Sequence, residues 1–394
     1  MRVFCLAVII TVLPLANGLA DDAGRHLQAD LQTLKNVGNE GRGNPKATQC
    51  WQRVATASAH ALPEILTALD DANPLAANWI RLAVDAIASQ ANSLPLDSLT
   101  AFLADTKHNP RARRLAWELI DSREPRLAEE LLAGMIDDPS LELRHDAVAR
   151  LIDAATQEKK GGSAAATTSL KKALSAARNV DQIKTITASL KKLGESIDLQ
   201  EQFGFITDWQ LIGPFDNTDE TGFDRVFPPE QGIDLSTRYP GKNGDVTWRQ
   251  FLSADPYGMM DLNKAFPGPG DGLKEVTAFA ATTFFAEKSR PAEVRLGCKN
   301  AWKVWHNGKL LFGRDEYHRG MRIDQYTMPV VLTAGENTLL VKLCQDGQTK
   351  DWTKQWQFQL RVCDATGGAI LSENRPPTPG PEQAAATHGK EPPL

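Results

Sequence analysis

Val304-Trp-His-Asn-Gly-Lys-Leu-Leu311 is the stretch from which the fold can be read outward. Its centre, Asn307-Gly308, is the dipeptide favoured in two-residue type I′ hairpins, where both central residues take positive φ. The flanking residues have strand character, so strands are expected at 303–306 and 309–312. The hairpin belongs to a longer pattern. From Phe203 onward Trp, Phe, Gly and Pro become frequent, and short alternating runs appear at 209–212, 246–251, 277–285, 293–296, 323–331, 337–343 and 356–362. Runs of this length with turn residues between them predict an antiparallel β-sandwich. Gly213-Pro214 is expected to end its first strand. Gly335 and Asn337 should turn the chain into a strand with Leu339 and Val341 on one face and Leu340 and Lys342 on the other.

Upstream of the β half, residues from about 24 to 196 are rich in Ala and Leu and read as helices throughout. Three segments within them are alike: Leu75 to Ala83, Pro110 to Ala116, and Leu141 to Ala147. Each follows a polar turn carrying Pro (Asn73-Pro74, Asn109-Pro110, Asp138-Pro139), and each has an Arg two or three residues before an Ala. Asn or Asp before Pro caps a helix and starts it. The matched alanines Ala83, Ala116 and Ala147 lie 33 and 31 residues apart, a period suited to two-helix solenoid units. A final amphipathic helix carrying Ile183, Ile186, Leu190 and Leu193 should stop at Gly194.

Two resemblances follow from these residues. The repeated segments, over about 60 to 157, resemble HEAT-type helical repeats. In the β half, Asp208-Trp-Gln-Leu-Ile-Gly-Pro-Phe-Asp-Asn217, Val304-Trp-His-Asn-Gly-Lys309 and Gly335-Glu-Asn-Thr-Leu-Leu-Val-Lys342 together resemble the galactose-binding-like jelly roll found as the sugar-binding domain of family 2 glycoside hydrolases. The fold class expected is therefore α then β, an α-solenoid followed by an antiparallel jelly-roll sandwich. His306 and the Gly-Cys-Lys-Asn-Ala-Trp run before Val304 depart from that pattern, so the resemblance carries no sugar or metal ligands with it.

The N-terminus sets a location. Arg2, the apolar run Val3 to Leu15 and small residues up to Ala20 have the three-part layout of a cleavable signal peptide. The run is short of the about 20 residues a membrane span needs. Four segments are expected: a signal peptide at 1–20, a helical-repeat domain at 21–198, the sandwich at 203–372, and a Pro-rich disordered tail at 373–394. The mature chain would be exported, periplasmic or extracellular. Export would leave Cys50, Cys298, Cys344 and Cys363, and an oxidising compartment makes Cys298, Cys344 and Cys363 disulfide candidates. Three complete pairings of four cysteines are open. A net charge of −5 with no basic stripe argues against nucleic acid as a partner.

No catalytic constellation stands out. A glycoside hydrolase would need two carboxylates flanking a bond. Asp216, Asp219, Glu220, Asp224, Asp315 and Glu316 fall in predicted loops, but their spacing sets no two of them opposite each other. His306 and His318 with Asp315 and Glu316 match no metal-ligand spacing, and neither G-x-S-x-G nor H-E-x-x-H occurs. Asp216, Asn217, Asp219 and Glu220 offer oxygen ligands that could hold a structural Ca²⁺; no other cofactor is implied. Six of the nine tryptophans lie in the β half, and a Trp in a loop can stack against sugar C–H groups. Trp302 and Trp352, beside polar turns, are the loop candidates, with Asp216 and Asn217 as polar contacts. The function expected is an exported, non-catalytic binding protein with a helical protein-interaction surface and a jelly roll for carbohydrate or an envelope protein. The alternatives are a carbohydrate-active hydrolase and a structural component of an envelope assembly.

Overall fold

A computed structural model describes residues 16–158, 163–268 and 272–378. The chain forms two compact units divided between Ile186 and Thr187. Helices make up the first and antiparallel sheets dominate the second, as expected from the change in composition. Residues 1–15 of the expected signal peptide and 379–394 of the expected tail lie outside the described residues. No helix among those described is long and apolar enough to cross a membrane.

The helices are α1 (Ala16–Lys35), α2 (Asn44–Val54), α3 (Leu62–Thr67), α4 (Pro74–Gln90), α5 (Leu96–Ala104), α6 (Pro110–Asp121), α7 (Pro125–Ala133), α8 (Leu141–Glu158), α9 (Ser163–Ala176) and α10 (Val180–Lys192), followed in the second unit by α11 (Leu199–Phe203). At Asp138-Pro139 the expectation fails, because α8 begins only at Leu141 and Ser140 caps it, its Oγ accepting from Leu143 N at 3.4 Å. The two Asn caps act as the sequence proposes: Asn73 Oδ1 accepts from the amides of Leu75 and Ala76, and Asn109 Oδ1 from Arg111. Each cap also leaves a group for a neighbouring turn, since Asn73 Nδ2 donates to Val37 O at 2.9 Å and Asp70 Oδ1 accepts from Asn109 N at 2.7 Å. Ala83, Ala116 and Ala147 are all buried in one core with Ile80, Val84 and Leu115. The arginines that precede these alanines divide their work. Arg81 and Arg114 both pair with Glu118, linking α4 to α6, and Arg114 also reaches Asp146 on α8. Arg113 is 1% exposed and holds Asp138 through two bonds of 2.7 Å while its Nε donates to Leu103 O at 2.8 Å.

Twelve strands follow: β1 (Asp208–Asp216), β2 (Tyr239–Gly241), β3 (Gly244–Val246), β4 (Arg249–Leu252), β5 (Met260–Asp261), β6 (Val276–Ala286), β7 (Arg290–Cys298), β8 (Ala301–His306), β9 (Lys309–Arg314), β10 (Tyr326–Leu332), β11 (Gly335–Gln345) and β12 (Gln357–Cys363). A six-stranded sheet runs β4-β1-β6-β11-β8-β9, a four-stranded sheet β10-β7-β12-β5, and β2 pairs with β3 alone. Every pair is antiparallel. Trp209, Val304 and Val341 from the larger sheet share a core with Val294, Phe358 and Leu360 from the smaller. The larger sheet's other face carries a second core, in which Phe279, Trp305 and Leu340 meet Phe227 and Val246 of the segment between β1 and β4. Lys342 points to that second face fully buried, its Nζ bonded to Phe223 O (2.9 Å), Arg225 O (2.7 Å) and Glu230 (2.8 Å).

The Asn307-Gly308 turn has φ of 49° and 75°, the two positive values its type requires. Three strand expectations need correction. Gly213-Pro214 does not end β1; it is the site of a register shift between Ile212 and Phe215, and the strand continues to Asp216. The run 246–251 is two strands, because Val246 pairs with Tyr239 while Arg249 to Leu252 pair with β1. The run 323–331 becomes a strand only at Tyr326, because Asp324 takes φ 58° and turns to Arg295 and Arg361. Residues 372–375 stay on the β unit: Phe285 N donates to Ser372 Oγ at 2.7 Å, and Glu373 N donates to Phe285 O at 3.0 Å.

Candidate functional site at one end of the β unit

Alternation within the larger sheet decides which loops meet. With antiparallel neighbours in the order β1-β6-β11-β8-β9, strands β1, β11 and β9 run the same way, so the segments that follow them gather at one end. Asn217 joins these segments. It is fully buried; its Nδ2 donates to Gln345 O at 2.9 Å and to Tyr317 Oη at 3.2 Å, and its Oδ1 accepts from Gly222 N at 2.9 Å. A Cβ on Gly222 would stand 2.6 Å from that Oδ1, so only glycine fits there.

Beside this joint, His318 Nε2 bonds Asp346 Oδ1 at 2.8 Å, with both side chains all but buried. Asp346 also accepts from Gln348 Nε2 at 2.8 Å. Trp352 stands edge-on to the His318 ring at 5.4 Å and is itself 62% exposed. The turn that carries it is held firmly: Thr353 Oγ1 donates to Lys350 O at 2.7 Å, and Thr353 O accepts from Gln345 Nε2 and Lys274 Nζ at 3.0 Å each. Asp219, Glu220 and His318 have φ of 53°, 62° and 56°, values that cost non-glycine residues about 1–3 kcal/mol apiece. Burial raises the Glu220 carboxyl above the ordinary glutamate range, and the nearby charges of Asp346 and Asp315 add to the rise. Asp315 is raised as well, by burial and then by Asp224. This end therefore presents an open indole face beside two carboxyls that hold protons more tightly than usual, and it can offer both stacking and hydrogen bonds.

The sequence candidates divide. Trp352 is at this end and open. Trp302 is not a loop residue: it lies on β8, 0% exposed, its ring 4.8 Å from Tyr326 and 6.1 Å from Phe312, so no face is available to a ligand. Asn217 has its amide fully engaged with protein. Asp216 is half-buried; its carboxyl is lowered by the bond from Thr218 and then by Lys242 at 3.2 Å. Among the described residues no group of three or more His, Cys, Asp or Glu could hold a metal ion, so the Ca²⁺ expectation finds no ligand set. Cys298, Cys344 and Cys363 are buried and unbridged. They sit on three strands, and each of the first two has a polar partner of its own: Cys298 Sγ donates to Asn300 O, and Cys344 Sγ accepts from Thr277 Oγ1, both at 3.4 Å. The sequence suggests His318 only as a metal ligand and gives no role to Tyr317 or Asp346. The one available sign was an aromatic pair, Tyr-His, inside an otherwise charged run.

No family model and no curated protein matches the chain. Among solved structures, an FMN-binding β-glucuronidase from Facaelibacterium prausnitzii L2-6 is similar over 39% of this chain and 21% of its own, at 15% identity and a TM-score of 0.23. A GH31 α-xylosidase from Xanthomonas citri is similar over 40% of this chain and 17% of its own, at 12% identity and a TM-score of 0.20. The chain thus spans about a fifth of the length of either glycoside hydrolase.

Proposed function

We propose that this chain is an exported carbohydrate-binding protein, in which a HEAT-like solenoid engages a protein of the cell envelope and a galactose-binding-like jelly roll takes sugar against Trp352. The observation that carries the reading is the state of Trp352, a large aromatic ring left 62% exposed on a turn fixed by four hydrogen bonds. An indole in that state supplies a flat apolar face at little ordering cost. Glu220, Asp315 and Gln348 nearby supply groups for hydroxyls. The two Asn caps and the Arg81–Glu118 and Arg114–Asp146 links between alternate helices, α4 to α6 and α6 to α8, support the solenoid half.

Glycan-array binding of the full chain tests this, followed by titration of the best ligand. Retention that falls at least tenfold in Trp352→Ala supports it; a wild-type chain retained by no glycan overturns it. A carbohydrate-active hydrolase is the second reading, favoured by the raised carboxyls of Glu220 and Asp315, since a general acid needs such a shift. Hydrolysis abolished by Asp315→Asn, with sugar binding retained, would select it.

A further inference from the structure

The outer face of the six-stranded sheet is only partly covered. The covering segment reaches Ile233 and Leu235, and beside them a groove of about 420 Å³ opens onto the sheet. Its floor comes from three neighbouring strands in register: Gln210 of β1 pairs with Ala281 of β6, and Thr283 of β6 with Thr338 of β11. The two rungs are two residues apart along β6, about 7 Å, and all four side chains fall on the same face. Ala281 contributes only a methyl, which gives the groove its depth.

Gln210, Thr283 and Thr338 are half-buried, and their side chains make no hydrogen bond with any described residue. Neighbouring threonines differ: Thr282 Oγ1 donates to Asp208 O at 3.0 Å and Thr277 Oγ1 to Cys344 Sγ at 3.4 Å. The groove is thus floored by a row of uncharged donors and acceptors without a partner among the described residues. Leu235, 52% exposed, forms an aliphatic wall. Asp208 is the only ionisable group in the lining, and its carboxylate already accepts from Gln250 at 2.9 and 3.1 Å.

We propose that this groove is a second ligand site of the β unit, for a neutral polyhydroxylated ligand of one or two sugar residues. Its volume is within the about 300–1,000 Å³ of small-molecule sites. Unpaired hydroxyls and an amide match a ligand that is itself hydroxylated, whereas an anionic ligand would lose water here and meet only the like charge of Asp208. An extended peptide gains its affinity from an open strand edge, and this site offers only a sheet face. The ligand class rests on the carbohydrate reading above; the location does not.

Calorimetric titration of the full chain with maltose, cellobiose, lactose and chitobiose tests the site. Two variants fill the groove from its floor, Thr283→Tyr and Thr338→Arg, and a third, Thr283→Val with Thr338→Val, removes both hydroxyls while keeping strand-forming volume. The expected result is one sugar still bound by Trp352→Ala, lost when either filling substitution is added and weakened about tenfold by the valine pair. Residual binding indifferent to all three groove variants overturns the proposal. So does complete loss of binding in Trp352→Ala alone, which leaves the Trp352 reading standing. Wild-type binding untouched by Trp352→Ala but abolished by Thr283→Tyr sinks the Trp352 reading and keeps the groove. Capture of a neutral Ser-Gly peptide in place of every sugar, lost in Thr283→Tyr, overturns the ligand class.

Discussion

The indole of Trp352 meets the imidazole of His318 edge-on, with ring centroids 5.4 Å apart and planes at 89°. His318 is in turn fixed by Asp346 at 2.8 Å, so the exposed ring is supported from beneath by a buried polar pair. Two tryptophans of the β unit should therefore respond in opposite ways to removal. Trp352→Ala is expected to lower sugar affinity about tenfold or more, or about 1.4 kcal/mol, while Tm moves by less than about 2 °C. Trp302→Ala should cost about 3–5 kcal/mol of stability, measured by urea unfolding, because it empties the space between Phe312 and Tyr326.

A second prediction concerns the helical unit. Arg113 and Asp138 are buried together, and Arg113 also satisfies the Leu103 carbonyl. Arg113→Met strands a buried carboxylate and should cost about 3–5 kcal/mol in a urea titration. Adding Asp138→Leu should recover much of that loss, since the stranded charge goes with it. If the losses of Arg113→Met and Asp138→Leu measured singly simply add in the double variant, the two side chains act independently of each other.

The acid limb of the β unit's stability should depend on Asp324. Burial alone would raise its carboxyl, but hydrogen bonds from Arg361 and Arg295 outweigh that and hold it below the ordinary aspartate value of 3.8. A depressed folded value means the stabilisation is fully present above that ordinary value and is lost as pH falls through the folded one. Asp324→Asn should flatten stability against pH below about pH 4, and should cost on the order of 3 kcal/mol at neutral pH because Arg361 loses its carboxylate partner and Arg295 keeps only Glu293. Thermal unfolding followed from pH 2 to pH 7 in both proteins gives the comparison.

Local chemistry was legible where one or two residues decide the backbone. Asn307-Gly308 announced its hairpin, and the Asn-Pro pairs announced the starts of α4 and α6. Composition alone separated the helical half from the β half. What the sequence hid depends on partners far along the chain. Trp302 reads as a loop residue because Lys299-Asn300 precedes it, yet those two residues are the whole turn and β8 begins at Ala301. Asn217 reads as a ligand contact because it follows an acid in a loop; its partner Gln345 is 128 residues away. His318 and Asp346 belong to different loops, and only the strand order of the larger sheet brings them together.

Thiol chemistry supplies the last prediction. Burial pushes Cys298 up to about 12 and Cys344 and Cys363 up to about 11, so at pH 8 the thiolate fraction of each is on the order of one in a thousand or less. Native protein treated with iodoacetamide should keep these three cysteines unmodified, and urea should expose them all. A mass about two units lighter without reductant, with a pair of cysteines resistant to alkylation after unfolding, would point to a bridge instead.

Because those thiols lie unbridged in the core, the β unit draws on no oxidant to reach its native state. Its larger sheet is held by registered strand pairing and by joints such as Asn217, which form equally well on either side of a membrane. Reductant should leave its melting curve unchanged.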